Sequence, residues 1–291
     1  MNTQAPGFNR LGLIAGGGAL PRHVAEAAAA EGRLGAVIAI RGFARVSDFA
    51  FLDGVPVSER GVGEVGGSLE DLRRSACDAV CFAGIVERPD FATLKPDWRG
   101  ARALPGAVAA AMKGDDSLLR YVLGLFEKEG LAVVGADAAA DALLARPGLI
   151  GGPEPDATAR ADIDRALRIA AEIGKLDIGQ GAVVCEGLVL AVEAQEGTDA
   201  MLARVALLPE AVRGRAEARR GVLAKRPKPV QDRRVDLPVI GVSTVENAAR
   251  AGLAGVVAPA GGALILGEEA VAQAAGRHGV FVLVTEKDDD E

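Results

Sequence analysis

The segment from Lys225 to Asp236, KRPKPVQDRRVD, carries the densest group of chemically active side chains in the sequence. Its local charge is +3, within a chain whose net charge is −7. The basic residues are Lys225, Arg226, Lys228, Arg233 and Arg234. Asp232 and Asp236 are four residues apart, which puts both carboxylates on one face of a helical or extended segment. Two carboxylates beside cations can hold a Mg²⁺ ion that bridges to phosphate oxygens, whereas a solvated loop with internal ion pairs is the alternative.

A glycine cluster follows the first apolar run of the chain. Gly16, Gly17 and Gly18 precede Pro21, which suits the first turn of a helix. Such a turn can bind phosphate at a helix N-terminus, or it can simply pack a helix on a sheet. The dinucleotide fingerprint GxGxxG fails because Pro21 stands at the third glycine, and Arg41 replaces the acidic ribose ligand.

Two further turns combine acidic residues with an expected helix start. The first contains Lys113, Asp115 and Asp116 in the motif KGDD, and the second is EGTD, with Glu196, Gly197, Thr198 and Asp199. We expect Asp115 or Asp116, and Thr198 or Asp199, to cap the helices that follow. The second carboxylate of KGDD is left to bind a hydroxyl, a base edge or a cation. Capping alone explains EGTD.

Alternating strand and helix patterns must position these groups. The first half predicts strands at Leu11 and Ala79 and a mainly parallel, Rossmann-like sheet covered by helices. Closely spaced apolar strands in the second half predict a separate α/β domain with a mixed sheet. The expected boundaries are 1–145 for the Rossmann-like domain, 146–155 for a Gly/Pro-rich linker, 156–285 for the catalytic domain and 286–291 for an acidic tail.

Composition excludes several classes of protein. The 33 basic against 40 acidic residues give no global electrostatic footprint for a nucleic acid. Two histidines argue against a His-rich dinuclear centre, and three cysteines without a CxxC pair indicate a reducing compartment. No apolar run reaches the roughly 20 residues that span a bilayer.

Five motifs, in this order, carry a resemblance to a known family. They are LGLIAGGGALP, KGDDSLLR, DIGQGAVV, EGTD and K(x)5QDRRVDLPVIG. Together they resemble the magnesium-dependent UDP-2,3-diacylglucosamine pyrophosphatases of the lipid A pathway, which are unrelated to the metallophosphoesterase type. The match runs from about Leu11 to Val284. Its specificity comes from the co-occurrence of the motifs, since each one alone is weak.

The resemblance implies a reaction and roles for named residues. The family hydrolyses UDP-2,3-diacylglucosamine to UMP and 2,3-diacylglucosamine 1-phosphate (lipid X), with water attacking the phosphorus nearer the sugar. Asp232 would be the central catalytic residue and a Mg²⁺ ligand with Asp236, while Lys225 and Arg233 or Arg234 would neutralise the pyrophosphate. The residues that would line a cleft between two domains are Asp177, Gln180, Glu196, Gly197, Thr198 and Asp199 from the second domain and Gly16, Gly17, Gly18, Lys113, Asp115 and Asp116 from the first.

The expected partners are this nucleotide sugar and its lipid product, with no nucleic acid. A diacylated substrate also implies a cytoplasmic protein in transient contact with the inner membrane surface. Two other functions stay open, a non-catalytic sensor of nucleotide sugars or sugar phosphates and a Rossmann-type nucleotide-sugar oxidoreductase. Release of UMP would distinguish the hydrolase from the sensor, and turnover of a nicotinamide cofactor would identify the oxidoreductase.

Overall fold

The structure, a computed structural model, describes residues 7–229 and 237–286, apart from the side chain of Asp116. The chain divides into two compact units, Met1–Ala142 and Leu143–Glu291. Each is an α/β unit, one with a parallel sheet and the other with a mixed sheet, which confirms the predicted fold class.

The described part of the first unit is built on a five-stranded parallel sheet in the order β3-β2-β1-β4-β5. Its strands are β1 Leu11–Ala15, β2 Leu34–Ile40, β3 Val57–Arg60, β4 Ala79–Ala83 and β5 Ala132–Val134. Every residue of β1 and β2 is buried, as expected when helices cover both faces of a parallel sheet. The strand order reverses between β1 and β4, so the turns that follow these two strands lie side by side.

Helices follow most of these strands. They are α1 Leu20–Ala30, α2 Val65–Arg74, α3 Trp98–Ala111, α4 Asp115–Glu127 and the short α5 Ala136–Ala139, with 3₁₀ turns at Val46–Phe49 and Asp141–Leu143. Asp97 caps α3, since its carboxylate accepts hydrogen bonds of 2.8 Å from the N–H groups of Gly100 and Gly67. The same carboxylate therefore connects α3 to α2.

The described part of the second unit has a six-stranded mixed sheet in the order β6-β13-β11-β9-β7-β8 and a two-stranded pair, β10-β12. The strands are β6 Gly148–Gly151, β7 Gly181–Cys185, β8 Leu188–Val192, β9 Val222–Lys225, β10 Val239–Ile240, β11 Gly255–Pro259, β12 Leu264–Ile265 and β13 Phe281–Thr285. β9, β11 and β13 are parallel to one another, while β6 and β7 run antiparallel to their neighbours.

Alternating residues of this sheet pack on helices on its two faces. The helices are α6 Ala157–Lys175, α7 Gly197–Ala206, α8 Val242–Arg250 and α9 Glu268–His278. Val222 and Ala224 of β9 pack with α6, whereas Leu223 between them packs with the other three helices. This period of two is the pattern of a strand that is buried on both faces.

The segment from Arg146 to Pro155, which the sequence indicates to be a linker, contains an edge strand instead. β6 pairs antiparallel with β13. A Cβ atom on Gly151 would lie only 2.7 Å from Cα of Ala272, so this glycine allows α9 to pack closely on the strand. Gly151 and Gly152, which suggested a flexible connector, therefore serve packing.

Candidate functional site

One edge of the second sheet gathers several of the polar residues of interest. Lys225 ends β9, its partner Gly181 begins β7, and Glu193 follows the last residue of β8. β11 and β13 also end at this edge, because they are parallel to β9. In open α/β sheets, ligands bind at the carboxyl ends of the parallel strands.

The ammonium group of Lys225 lies inside this edge. Lys225 is only 6% exposed, and its Nζ donates a hydrogen bond of 2.8 Å to the carbonyl oxygen of Val239. A buried charge is costly unless it is paired or hydrogen-bonded. The structure thus places Lys225 at the base of the predicted basic segment, whose first residues follow β9 and whose last residues precede β10.

The DIGQG motif is packed against Glu193. A Cβ atom on Gly179 would overlap the carbonyl oxygen of Glu193, and one on Gly181 would lie 2.5 Å from its Oε2. Glycine is therefore required at position 179, whereas a side chain at position 181 would displace the Glu193 carboxylate. Between them, the backbone oxygen of Gln180 accepts a hydrogen bond of 2.9 Å from Arg226 N–H.

The side chain of Gln180 has an unsatisfied acceptor. Its Oε1 is buried and has no hydrogen-bond partner among the described residues, a property it shares only with Thr285 Oγ1 within that part of the chain. Thr285 ends β13, at the same edge of the sheet. Buried polar groups nearly always have partners in folded proteins, so an unsatisfied acceptor at a sheet edge indicates a position that a ligand can occupy.

The EGTD motif contributes side chains with partners inside the second unit. Thr198 Oγ1 donates to Glu193 Oε2 at 3.1 Å, and Asn247 Nδ2 donates to Asp199 Oδ1 at 2.7 Å. Arg204 lies 2.7 Å from Glu196 Oε1, and this hydrogen bond is the main reason that the pKa of Glu196 is lowered. Thr198 thereby joins EGTD to DIGQG through Glu193, which is 5% exposed.

Two capping predictions are wrong. α7 begins at Gly197 and has no side-chain cap, because the Thr198 hydroxyl bonds to Glu193 instead. α4 begins at Asp115 after Gly114, whose φ of 122° favours glycine at the cap position. Asp115 therefore lies inside the first turn, where its carboxylate is 3.4 Å from Arg88, and Lys113 is exposed just before it.

Asp177 extends the described site toward the end of α6. Its Oδ1 accepts a hydrogen bond of 2.9 Å from Lys228 Nζ. Lys228 also comes close to Gly174 of α6, where a Cβ atom would lie 3.4 Å from the lysine Cα. The first residues after β9 thus run beside the C-terminal end of α6.

Four predicted site residues lie outside the described residues. They are Asp232, Arg233, Arg234 and Asp236. Within 7–229 and 237–286, no group of three or more His, Cys, Asp or Glu side chains could hold a metal ion. Asp177 is paired with Lys228, and Glu193 accepts from Thr198, so these described carboxylates already have protein partners.

The glycine cluster of the first unit lies where the strand order reverses. Gly17 exchanges two backbone hydrogen bonds with Ile85, of 2.8 and 2.9 Å. A Cβ atom on Gly16 would lie 2.7 Å from the Ile85 oxygen, and one on Gly84 would lie 2.5 Å from the Gly17 oxygen. Close packing of two turns therefore explains Gly16 and Gly84, whereas Gly18, with φ of 88°, has open space around its Cα.

The cysteines are structural. Burial raises the pKa of the Cys77 thiol to about 11 and that of Cys81 to about 12, so both thiols stay protonated at neutral pH.

In the part of the chain that the structure describes, no helix is long and apolar enough to cross a membrane.

Both halves of the chain match known protein domains. Residues 10–143 match the LpxI N-terminal domain and residues 146–283 match the LpxI C-terminal domain. UDP-2,3-diacylglucosamine pyrophosphatase LpxI of Caulobacter vibrioides is 58% identical over 276 residues, covering 95% of this chain and 97% of that protein. The match to a solved structure, CobK precorrin-6A reductase, covers 96% of this chain and 88% of that chain at 17% identity, with a TM-score of 0.30. The two domain matches and the 58% identity show that the chain belongs to the LpxI family.

Proposed function

We propose that this protein hydrolyses the pyrophosphate bond of UDP-2,3-diacylglucosamine to give UMP and lipid X. The observation that carries the proposal is the 58% identity, over nearly the whole of both chains, to a protein named for activity on this substrate. The unit that holds Lys225, Gln180 and Glu193 corresponds to the C-terminal domain of the family.

The buried ammonium group of Lys225 supports the reaction. A fixed positive charge in a poorly hydrated site stabilises negative charge that develops on phosphate oxygens in the transition state. Its hydrogen bond to Val239 holds Nζ in place before substrate binds, so little reorganisation is needed during the reaction.

We further propose that Asp232 and Asp236 hold Mg²⁺ and that Arg233 or Arg234 binds the pyrophosphate. A bound Mg²⁺ would supply Lewis-acid polarisation of the phosphoryl oxygens. Carboxylates are the ligand type that Mg²⁺ prefers, and the carboxylates of Asp177 and Glu193 are engaged with protein groups. These facts favour the acidic pair of the basic segment as ligands.

Gln180 is proposed to bind the substrate through its side chain. Its buried Oε1 can accept a hydrogen bond from an N–H or O–H group, and the substrate offers an imide N–H on uracil, sugar hydroxyls and acyl-linked groups. Five other predicted site residues would instead hold the local structure in place through their contacts with protein groups. They are Asp177, Glu196, Gly197, Thr198 and Asp199.

The test is a product assay with the purified protein. It is incubated with UDP-2,3-diacylglucosamine and Mg²⁺, with and without a chelator, and UMP is measured. UMP that forms only without the chelator supports both the reaction and the metal. Binding without UMP would identify a sensor of nucleotide sugars, and UMP in both samples would overturn the Mg²⁺ requirement alone.

The location follows from the substrate. Two acyl chains hold such a molecule in a bilayer, since each buried CH₂ contributes about 0.8 kcal/mol. We therefore propose that the protein works in the cytoplasm, in transient contact with the inner membrane.

A further inference from the structure

Three large apolar side chains on helix α3 and directly after it are exposed. Trp98 is 80% exposed, Val108 37% and Met112, just after the helix, 83%. Ala101 and Pro105 are exposed as well. These five residues recur at intervals of three and four, so they form one stripe along the helix, which we call the α3 stripe.

Small residues of α3 make its closest contacts with the rest of the unit, and Leu104 is half-buried beside them. A Cβ atom on Gly100 would overlap the Gly63 oxygen, and one on Gly106 would overlap the Tyr121 ring. Ala111 is also buried. A surface helix usually buries its large apolar side chains, and α3 departs from this pattern at Trp98, Val108 and Met112. Burial within the unit does not explain the α3 stripe.

The helix is held firmly in its unit. Beyond the cap from Asp97, Tyr121 Oη donates a hydrogen bond of 2.9 Å to the Ala103 oxygen. Arg99 lies 2.7 Å from Glu129. The α3 stripe is therefore presented by a fixed helix.

Basic residues predominate along α3 itself. From Trp98 to Lys113 the chain contains three basic residues and no acidic one, although its net charge is −7. Arg102 and Lys113 fall along the same side of the stripe at 3.6 residues per turn. Amphipathic helices that lie in a membrane interface have this composition, with an apolar face, a tryptophan and flanking basic side chains that attract anionic lipids.

We propose that the α3 stripe is the surface through which the protein lies on an anionic lipid bilayer. The inference rests on the proposed function only in its choice of partner, because a diacylated substrate resides in a bilayer. One short stripe buries little apolar area, so the contact is weak, reversible and sensitive to salt.

Trp98 makes the proposal directly measurable, because it is the only tryptophan of the chain. The intact protein is titrated with vesicles of phosphatidylglycerol and phosphatidylcholine, and separately with phosphatidylcholine alone. We expect a blue shift of the fluorescence, and quenching by brominated acyl chains, with the anionic vesicles, both reduced by high salt. Emission that stays unshifted with anionic vesicles would overturn the proposal.

Variants distinguish binding through the α3 stripe from nonspecific adsorption to vesicles. Met112→Glu and Val108→Glu should each weaken partitioning to anionic vesicles by about tenfold or more, and Arg102→Glu should reduce its salt dependence. Leu207→Glu is the matched control, because Leu207 is also an exposed apolar residue, at 86%, but lies in the second unit. Equal losses for Leu207→Glu and Met112→Glu would contradict the assignment.

Activity provides an independent comparison. Met112→Glu should retain wild-type turnover of a short-chain substrate analogue that is monomeric in water, and should lose turnover of substrate embedded in vesicles. If the wild type releases no UMP from either substrate, the proposed function fails, while the fluorescence still decides the membrane contact. A blue shift that rises with protein concentration without lipid would instead identify a second copy of the chain as the occupant.

Discussion

The Nζ of Lys225 and the carbonyl oxygen of Val239, 2.8 Å apart, join the two strands that flank the basic segment. Lys225 is the last residue of β9, and Val239 is the first of β10. One buried ammonium group thus connects β9 to β10 and supplies positive charge at the sheet edge.

Replacing Lys225 tests that charge. Lys225→Met should lower kcat/KM by about a hundredfold or more, because a preorganised contact to the transition state is lost. The measurement is steady-state kinetics, with circular dichroism to check folding. Lys175→Met is the control, since Lys175 is an exposed residue that pairs with Glu172. Turnover of a folded Lys225→Met protein within a few-fold of wild type would remove Lys225 from the catalytic set.

Asp232→Ala should lower turnover by at least about a hundredfold while the protein still folds and binds substrate. Asp236→Ala should behave similarly if both carboxylates hold the metal. Titration of activity against Mg²⁺ measures this directly. A normal Asp236→Ala enzyme beside an inactive Asp232→Ala enzyme would leave Asp236 a structural role.

The attacked phosphorus can be identified with labelled water. Hydrolysis in ¹⁸O water should place the label in the sugar 1-phosphate, as expected if water attacks the phosphorus nearer glucosamine. Mass spectrometry of both products measures it. Label in UMP would move the attacking water to the uridine side.

Gln180→Met should separate stability from binding. An unsatisfied buried acceptor costs about 1–3 kcal/mol, so an apolar side chain of similar size should keep or raise the free energy of unfolding. KM should rise about tenfold, because the ligand loses its acceptor. Urea denaturation and kinetics measure the two effects. The exposed Gln273→Met should change neither, and a marked destabilisation by Gln180→Met would show that Oε1 serves the fold.

Asp162→Ala tests the framework of the second sheet. The carboxylate of Asp162, 1% exposed on α6, accepts hydrogen bonds of 2.8 and 2.7 Å from the N–H groups of Glu186 and Gly187 in the turn between β7 and β8. Its loss should lower the free energy of unfolding by about 3 kcal/mol. Asp164→Ala, on the exposed face of the same helix, should change it little.

The sequence predicted most reliably the strands that are buried on both faces. β1 and β4 are apolar runs covered on both faces, and both were expected. β3, with the sequence VSER, was missed because a half-exposed edge strand lacks that pattern. α3 was missed because Trp98 and Val108 are exposed and Pro105 lies inside it. Glycine in β6 suggested a loop because its packing against Ala272 depends on tertiary structure.

For the site, the sequence singled out Lys225, which the structure places at the end of β9, and its catalytic role stays a prediction. The capping roles of Asp115 and Thr198 were wrong. Gly114, with φ of 122°, occupies the cap position of α4, and the Thr198 hydroxyl bonds to Glu193, a contact that local spacing does not encode. Glu193 was missed altogether. The sequence signal that could have identified Glu193 is an acidic residue directly after an apolar strand, in LVLAVEA.

The pairing of β6 with β13 also affects how the second unit folds during its synthesis. In the described sheet β6 has only β13 beside it, and the residues they pair are about 130 positions apart. At roughly 5–20 residues per second of synthesis, β6 leaves the ribosome on the order of 10 s before its partner exists. During that time its backbone donors and acceptors can pair with another nascent or folded chain. β6, the first strand of this unit to be synthesised, is therefore the last to gain its partner. Slow translation near the 3′ end of the message lengthens the time during which its backbone groups stay unpaired.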